Sequence, residues 1–248
     1  MSYLFTVSPD FTPVHLSGWY IFNTWLQRQS GSPIHLEMYN DFPTQRLAIH
    51  NDQVDLIFAN PFDAAMLVRE KGFLPLVKAA GVSDEAIIAV RADSAVEDVA
   101  HLSPGITVAV TEDPDVTMMG MIMLEAGDLN AGNVETTIFD TYVLVAKNLL
   151  NDSADVGIFL AEAYDDLSSI VKKQLKILVR SQISVIHHSL MVGPKLADRR
   201  DEIQALLLSM AEDDKGKDIL KSLGFDNWVK VDDEDMEFMI DLMEALAT

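Results

Sequence analysis

A chain of 248 residues, 49% hydrophobic and 23% charged, has enough length and apolar content for one large or two smaller packed domains and is not a disordered chain. Its net charge of −21, from 39 acidic and 18 basic residues, repels phosphate backbones and anionic bilayers, and the densest basic group, Lys172, Lys173 and Lys176, is too small to reverse that field. The lack of cysteine excludes disulfides, thiolate metal sites and cysteine nucleophiles, and no apolar run reaches the roughly 18 to 20 residues needed to span a bilayer.

The elements follow in chain order. YLFTVSP reads as a strand, and Thr12 to Gln29 as a helix with Pro13 in its first turn and Gly31 past its end. IHLEMY alternates like a strand; Thr44 to His50 is a short helix; VDLIFAN is a buried strand; PFDAAMLVREKG is a helix stopped by Gly72. LPLVKAAG and AIIAVRAD are strands. The succession then restarts: GITVAVTEDP (strand), Val116 to Ala126 (helix), VETTIFD (strand), Tyr142 to Leu150 (helix), ADVGIFLA (strand), Glu162 to Lys173 (helix). LKILVRS and VIHHSLMVG are further strands, and Arg199 to Ser222 and Asp233 to Leu246 read as acidic amphipathic helices.

Strands alternating with helices imply βαβ units and mostly parallel sheets. The phrase NDQVDLIFANPFD at 51 returns as NDSADVGIFLAEAYDD at 151, each on the third strand of its set. It marks either two similar lobes or punctuation common to any two βαβ units. Ligands of open parallel sheets sit beyond the carboxyl ends of the strands, where helix N-termini offer unpaired N–H groups to an anion without any Lys or Arg. Two lobes facing one another would make a cleft walled by Ser8–Phe11, Tyr39–Phe42 and Asn60–Asp63 on one side, and by Thr111–Thr117, Asp140–Tyr142 and Leu160–Glu162 on the other. The chain is expected to cross between lobes near Val82–Ala92 and Arg180–Leu190.

Four stretches carry a resemblance: VDLIFANPFDAAML, AIIAVRADSAVEDVAHLSPGITVAVTEDPDVTMMG, ADVGIFLAEAYDDL, and the tail from SQISVIHHSLMVGPKLADRR through LLSMAEDDKGKDILKSLGFDNWVKVDDED. Their order and spacing over nearly the whole chain resemble the phosphate/phosphonate-type solute-binding proteins of ABC importers, on the type II periplasmic-binding fold. The resemblance implies an α/β fold of two lobes, residues 1–86 with 187–248 and residues 87–186, joined by two crossover strands and closing on ligand by hinge motion. It implies a ligand of the phosphonate or phosphate oxyanion class and an ABC permease as partner. The family's Ser-Thr-Ser-Gly-like helix start is replaced here by Val116-Thr117-Met118-Met119-Gly120, and the place of a family histidine by Phe139-Asp140-Thr141-Tyr142. Of these helix-start residues Thr117 can donate, while Val116 and Met118 cannot, and Asp115 is placed to cap the N–H groups an anion would use.

The ligand-binding candidates are Ser8, Phe11, Tyr39, Asn60, Phe62, Thr111, Asp113, Thr117, Thr141, Tyr142, Glu162 and His188. His187 and His188 would point to opposite faces of a strand and so do not chelate one ion. Asp113 before Pro114 reads as a cap or turn residue, the methionines from Met118 to Met123 as a core-facing helix stripe or an adaptable pocket wall, and Asp232 to Asp235 as a solvated helix start. There is no G-x-S-x-G, Walker-type loop or dinucleotide-binding glycine series. The expectation is a binding protein, not an enzyme, without cofactor, metal or catalytic residue, and a monomer. The alternatives are a cytoplasmic ligand-sensing domain and a lyase or biosynthetic enzyme on the same fold. MSYLFTVSPDF lacks the charged start and long apolar core of a signal peptide. The expected location is therefore cytoplasmic, or periplasmic or extracellular if a leader has been removed.

Overall fold

The computed structural model describes residues 2–246; Met1, Ala247 and Thr248, which the sequence reading places at the outer ends of the first lobe, lie outside the described residues. In chain order the elements begin β1 (Tyr3–Val7), α1 (Leu16–Ser30), β2 (Ile34–Glu37), α2 (Phe42–His50), β3 (Leu56–Ala59), β4 (Leu74–Ala79) and β5 (Ala86–Arg91). They continue with β6 (Thr107–Val110), α3 (Pro114–Leu124), β7 (Glu135–Ile138), α4 (Tyr142–Leu150), β8 (Val156–Leu160), α5 (Ala161–Asp165), α6 (Ser169–Lys172) and β9 (Leu175–Arg180). The chain closes with β10 (Ser189–Val192), α7 (Arg200–Leu208), α8 (Asp214–Ser222), β11 (Trp228–Lys230) and α9 (Asp233–Leu246).

The chain divides into two compact units. The first takes residues up to Val82 and His187–Leu242; the second takes Ser83–Ile186, with the end of α9 from Met243. The first holds a sheet of order β11-β4-β10-β3-β1-β2 and the second a sheet of order β7-β6-β8-β5-β9. Both are α/β, with a mixed sheet flanked by helices. The βαβ part of each is parallel, β1 with β2 and β3, β6 with β7 and β8. The remaining pairs run antiparallel, β10 with β3 and β4, β11 with β4, β5 with β8 and β9. Thus β2-β1-β3-β10 in one unit repeats as β7-β6-β8-β5 in the other, with the same directions.

The repeated phrase has a structural meaning. Asn51 and Asn151 cap the ends of α2 and α4, and Asp52 and Asp152 turn the chain with φ of 55° and 57°, a region Asp tolerates better than most residues. Asp55 and Asp155 then clasp β1 and β6 respectively. Strand burial follows the sequence pattern: β2 alternates, whereas β5 is buried at five of its six positions, as a continuous apolar run requires. β7 is a polar, exposed edge strand. The first core is aromatic: Phe5, Trp19, Phe22, Phe58 and Trp228 meet edge-on or tilted at centroid distances of 4.8–6.1 Å. The second is built from Ile87, Ala109, Val145, Leu149, Phe159 and Tyr164.

Local differences from the sequence reading have local causes. The helix expected over Glu162–Lys173 is two short ones, because Leu167 packs inward and Ser168 caps a new start, accepting from Val171 N at 3.3 Å. The helix expected over Pro61–Gly72 is a 3₁₀ turn followed by a π-helical turn, Met66–Glu70, closed by Lys71 N to Met66 O at 3.0 Å. The strand β11 was not expected; its three residues are fixed by pairing with β4 rather than by a pattern of their own. Among the described residues no helix is long and apolar enough to cross a membrane.

Candidate functional site

In the first unit the loops after β1, β3 and before β10 converge. Ser8, buried at the end of β1, accepts at Oγ from Asn60 N at 2.7 Å. Asn60, fully buried, caps the turn after β3 by accepting from Phe62 N at 2.8 Å. Its amide donates to Asp10 Oδ2 at 2.5 Å, and His188 Nε2 lies 3.0 Å from the same oxygen. The His188 ring stacks on Phe58 at 5.4 Å. Burial alone would raise the Asp10 carboxyl, but the charge and hydrogen bond of His188, with the Asn60 amide, outweigh it and hold Asp10 below the usual carboxylate range. His187 has different company: buried, with Nδ1 3.0 Å from Ser189 Oγ, it is pushed down to about 4, first by burial and then by the charge of Lys78.

The other candidates of this unit stand apart from that cluster. Phe11 is half-buried against the aromatic core. Phe62 is exposed and lies 5.3 Å over the Arg46 guanidinium, which Phe42 flanks at 5.0 Å and Asp63 anchors at 2.7 Å. Tyr39 is half-buried, its phenol raised by burial and by Glu37.

In the second unit the loops after β6 and β7 converge in the same way. Thr111, one residue past β6, accepts at Oγ1 from Asp113 N at 3.4 Å, and its carbonyl accepts from Thr117 Oγ1 at 3.3 Å. Tyr142, at the start of α4, donates its hydroxyl to Asp113 Oδ2 at 2.7 Å. Burial, followed by the charge of Asp113, raises the Tyr142 phenol well above its usual value. Asp113 stands at the N-cap position of α3, yet its side chain makes no capping bond. Asp113, read from sequence as a cap or turn residue, thus has the cap position without a side-chain capping bond, and its carboxylate turns to Tyr142 instead. Asp115, in the first turn of α3, is fully buried, and one of its carboxylate oxygens lies within 4.8 Å of one of Asp113. Among the methionines of α3, Met119 is buried and Met118, Met121 and Met123 are half-buried.

Thr141 caps α4, accepting from Leu144 N at 3.2 Å, and Glu162 is exposed in the first turn of α5. The structure therefore groups Ser8, Asn60 and His188 in one unit, and Thr111, Asp113, Thr117 and Tyr142 in the other. It leaves Thr141 with a capping role and gives Phe62 to Arg46.

Asp10 and Asp115 fell within the expected walls Ser8–Phe11 and Thr111–Thr117, and Asp115 was expected as a helix cap, but neither was among the ligand-binding candidates. A signal for Asp10 was in the sequence: Val7-Ser8-Pro9-Asp10 and Val110-Thr111-Glu112-Asp113 each place a hydroxyl one residue, and an aspartate three residues, past the strand that opens a parallel set, β1 or β6. Chemically, the first cluster offers hydroxyl and amide groups and the second hydroxyl groups, each beside a carboxylate. Both clusters set donors and acceptors suited to hydrogen-bonding a polar solute at the ends of the strands.

Comparison with known proteins follows this geometry. PhnD1 from Prochlorococcus marinus (MIT 9301), solved in complex with methylphosphonate, superimposes with a TM-score of 0.82 at 9% identity, covering 99% of this chain and 98% of its own. XAC2383 from Xanthomonas citri, solved bound to chloride, gives 0.81 at 17% identity with 99% and 98% covered. PA3383 from Pseudomonas aeruginosa, a binding protein component of an ABC phosphonate transporter, gives 0.78 at 16% with 99% and 87% covered. At these identities the likeness is one of fold, the two-lobed periplasmic-binding fold. A search of curated protein sequences finds no match. The model of one family, described as ABC transporter, phosphonate, periplasmic substrate-binding protein, matches residues 5–236. The chain belongs to that family of transporter substrate-binding components.

Proposed function

We propose that the protein captures a small oxyanion-bearing solute of the phosphonate class and delivers it to an ABC permease, as an exported monomer that performs no chemistry on its cargo. The observation that supports this best is the family match over residues 5–236, joined to donor groups at the carboxyl ends of the strands in both units. Ser8, Asn60, Thr111, Thr117 and Tyr142 are the residues proposed to meet the solute; Phe11, Tyr39, Phe62, Glu162 and His188 are proposed to flank it, and Thr141 to orient α4. The division into binding lobes is proposed to follow the two compact units, a few residues from the expected 1–86 with 187–248, and 87–186.

One observation favours a second reading. Asp115 is buried in the first turn of α3, where the positive end of the helix would receive an oxyanion, and Asp113 lies beside it. Such a pair attracts an ammonium group and repels a phosphonate. A thermal-shift series with methylphosphonate, phosphate, an alkanesulfonate and a primary amine separates the readings. A solute at 100 times its Kd stabilises by about 2.7 kcal/mol. A shift with methylphosphonate supports the first reading, a shift with the amine alone the second, and no shift with any of the four removes both.

A further inference from the structure

The chain passes between its units at Val82–Ser83 and returns at Ile186–His187, while the third passage, at Leu242–Met243, lies inside the helix α9. The two crossings are tied together on the side of the second unit. Glu85, only 9% exposed, gathers the returning segment: one carboxylate oxygen accepts from Ser181 Oγ and from Ile183 N at 3.1 Å, the other from Ser184 N at 2.6 Å. Main-chain bonds complete the tie. Ala86 N donates to Ser181 Oγ at 2.8 Å, Ser181 N to Ala86 O at 2.9 Å and Asp84 N to Ile186 O at 2.8 Å. Glu85 O in turn accepts from Ala161 N at 2.7 Å, which anchors the clamp to α5.

The segment so held has no helix or strand of its own from residue 181 to 188. Ser184 adopts φ of 62°, a left-handed conformation that a non-glycine residue keeps only when its surroundings impose it. The charged acceptor on its amide supplies that imposition. On the other side, Ala80 N is tied within the first unit to Asn227 O at 2.9 Å, and β10 begins at Ser189. Gly81, Val82 and Ser83 on the way out, and His187 and His188 on the way back, lie between these ties.

We infer that Glu85 is a latch that joins both crossings to the second unit and leaves the backbone torsions of residues 81–83 and 187–188 as the places where the two units turn. The latch is a positioning device and requires no solute, so its test stands apart from the identity of the cargo.

The test uses the full, ligand-free chain with Glu85→Gln and Glu85→Ala. Glu85→Gln keeps the shape and one acceptor, so it remains informative if Glu85→Ala folds poorly. The first readout is amide exchange at Ile183 and Ser184. It should quicken about tenfold or more in the alanine variant and less in the glutamine variant, with the strands of both sheets unchanged. The second readout is the distance distribution between labels at Lys215→Cys and Asn130→Cys, one in each unit; the chain has no cysteine to compete for them. The distribution should broaden in both Glu85 variants. Unchanged exchange at 183 and 184 would overturn the latch. So would faster exchange with an unaltered distance distribution, since the tie would then be local only.

Discussion

Asp55 and Leu4 exchange hydrogen bonds in both directions: Asp55 N donates to Leu4 O at 2.8 Å, and the Asp55 carboxylate accepts from Leu4 N at 2.9 Å. Asp155 and Thr107 repeat the arrangement at 2.9 and 2.8 Å. The aspartate at the foot of β3 or β8 thereby fixes the foot of β1 or β6. The two clasps differ in burial, since Asp55 is 4% exposed and Asp155 is exposed. Asp55 also pairs with Lys195 Nζ at 2.8 Å. Asp55→Ala should therefore cost about 2–3 kcal/mol in urea denaturation, and Asp155→Ala about 1 kcal/mol or less. Equal losses would show that burial does not set the strength of the clasp.

Gly120 lets α3 lie against β8. A Cβ there would fall 2.4 Å from Ile158 Cγ2 and 2.6 Å from Cδ1. Gly120→Ala should destabilise by roughly 1–3 kcal/mol and disturb the loop that carries Asp113 and Asp115. Adding Ile158→Val, which removes Cδ1, should recover part of that loss in the denaturation midpoint; no recovery would place the strain elsewhere.

Tyr142 ties α4 to Asp113. Its phenol is raised well above 10, so the neutral form is the one the fold favours. The stability this contributes is complete below the unfolded value near 10 and is lost as pH rises through the folded value. In an ultraviolet titration of the five tyrosines, Tyr142 should deprotonate last, and that late phase should vanish in Tyr142→Phe. The same variant removes the donor to a buried carboxylate and should cost about 1–3 kcal/mol.

His187 is held near 4 against an ordinary 6.5, chiefly by burial. The unfolded chain takes up its proton first as pH falls. Stability from this group is thus complete above 6.5 and declines between 6.5 and about 4, by a total of roughly 3 kcal/mol. His187→Gln should flatten the stability profile in that window, measured by urea midpoints from pH 4 to 7.

Asp10 runs the other way in cause and the same way in sign. Its carboxyl is held below 3.8 because His188 and Asn60 overcome the effect of burial. The stability it supplies is present above the ordinary carboxylate value and is lost as pH falls through the folded one. His188→Gln removes the largest favourable partner and should move the Asp10 titration, followed by carboxyl NMR shifts, to higher pH. An unmoved titration would mean that Asn60 alone sets the ionisation.

Much of this fold was legible residue by residue. The apolar run Ala86–Val90 announces a fully buried strand, Pro13 and Gly31 frame α1, and Asn51-Asp52 and Asn151-Asp152 mark the same turn twice, because each of these features acts within a few residues along the chain. Ser8, Asn60, Thr111 and Tyr142 could be placed at strand ends from that pattern alone. The break at Leu167-Ser168 and the π-helical turn at Met66–Glu70 could not, since propensity favoured one helix in each place and packing divided it.

Two successive runs of strand and helix, with their caps, could be read along the chain, since periodicity and capping are local physics. Folding in three dimensions was needed to set β10 and β11 against the direction of the other strands in the first sheet, to bring His188 to Asp10 across 178 residues of chain, and to bring Glu85 to Ser181 across 96. A carboxylate reads alike in any part of a chain with 39 acidic residues. What it does follows from burial and from which distant donor the sheet order brings to it, and neither is written in its neighbours.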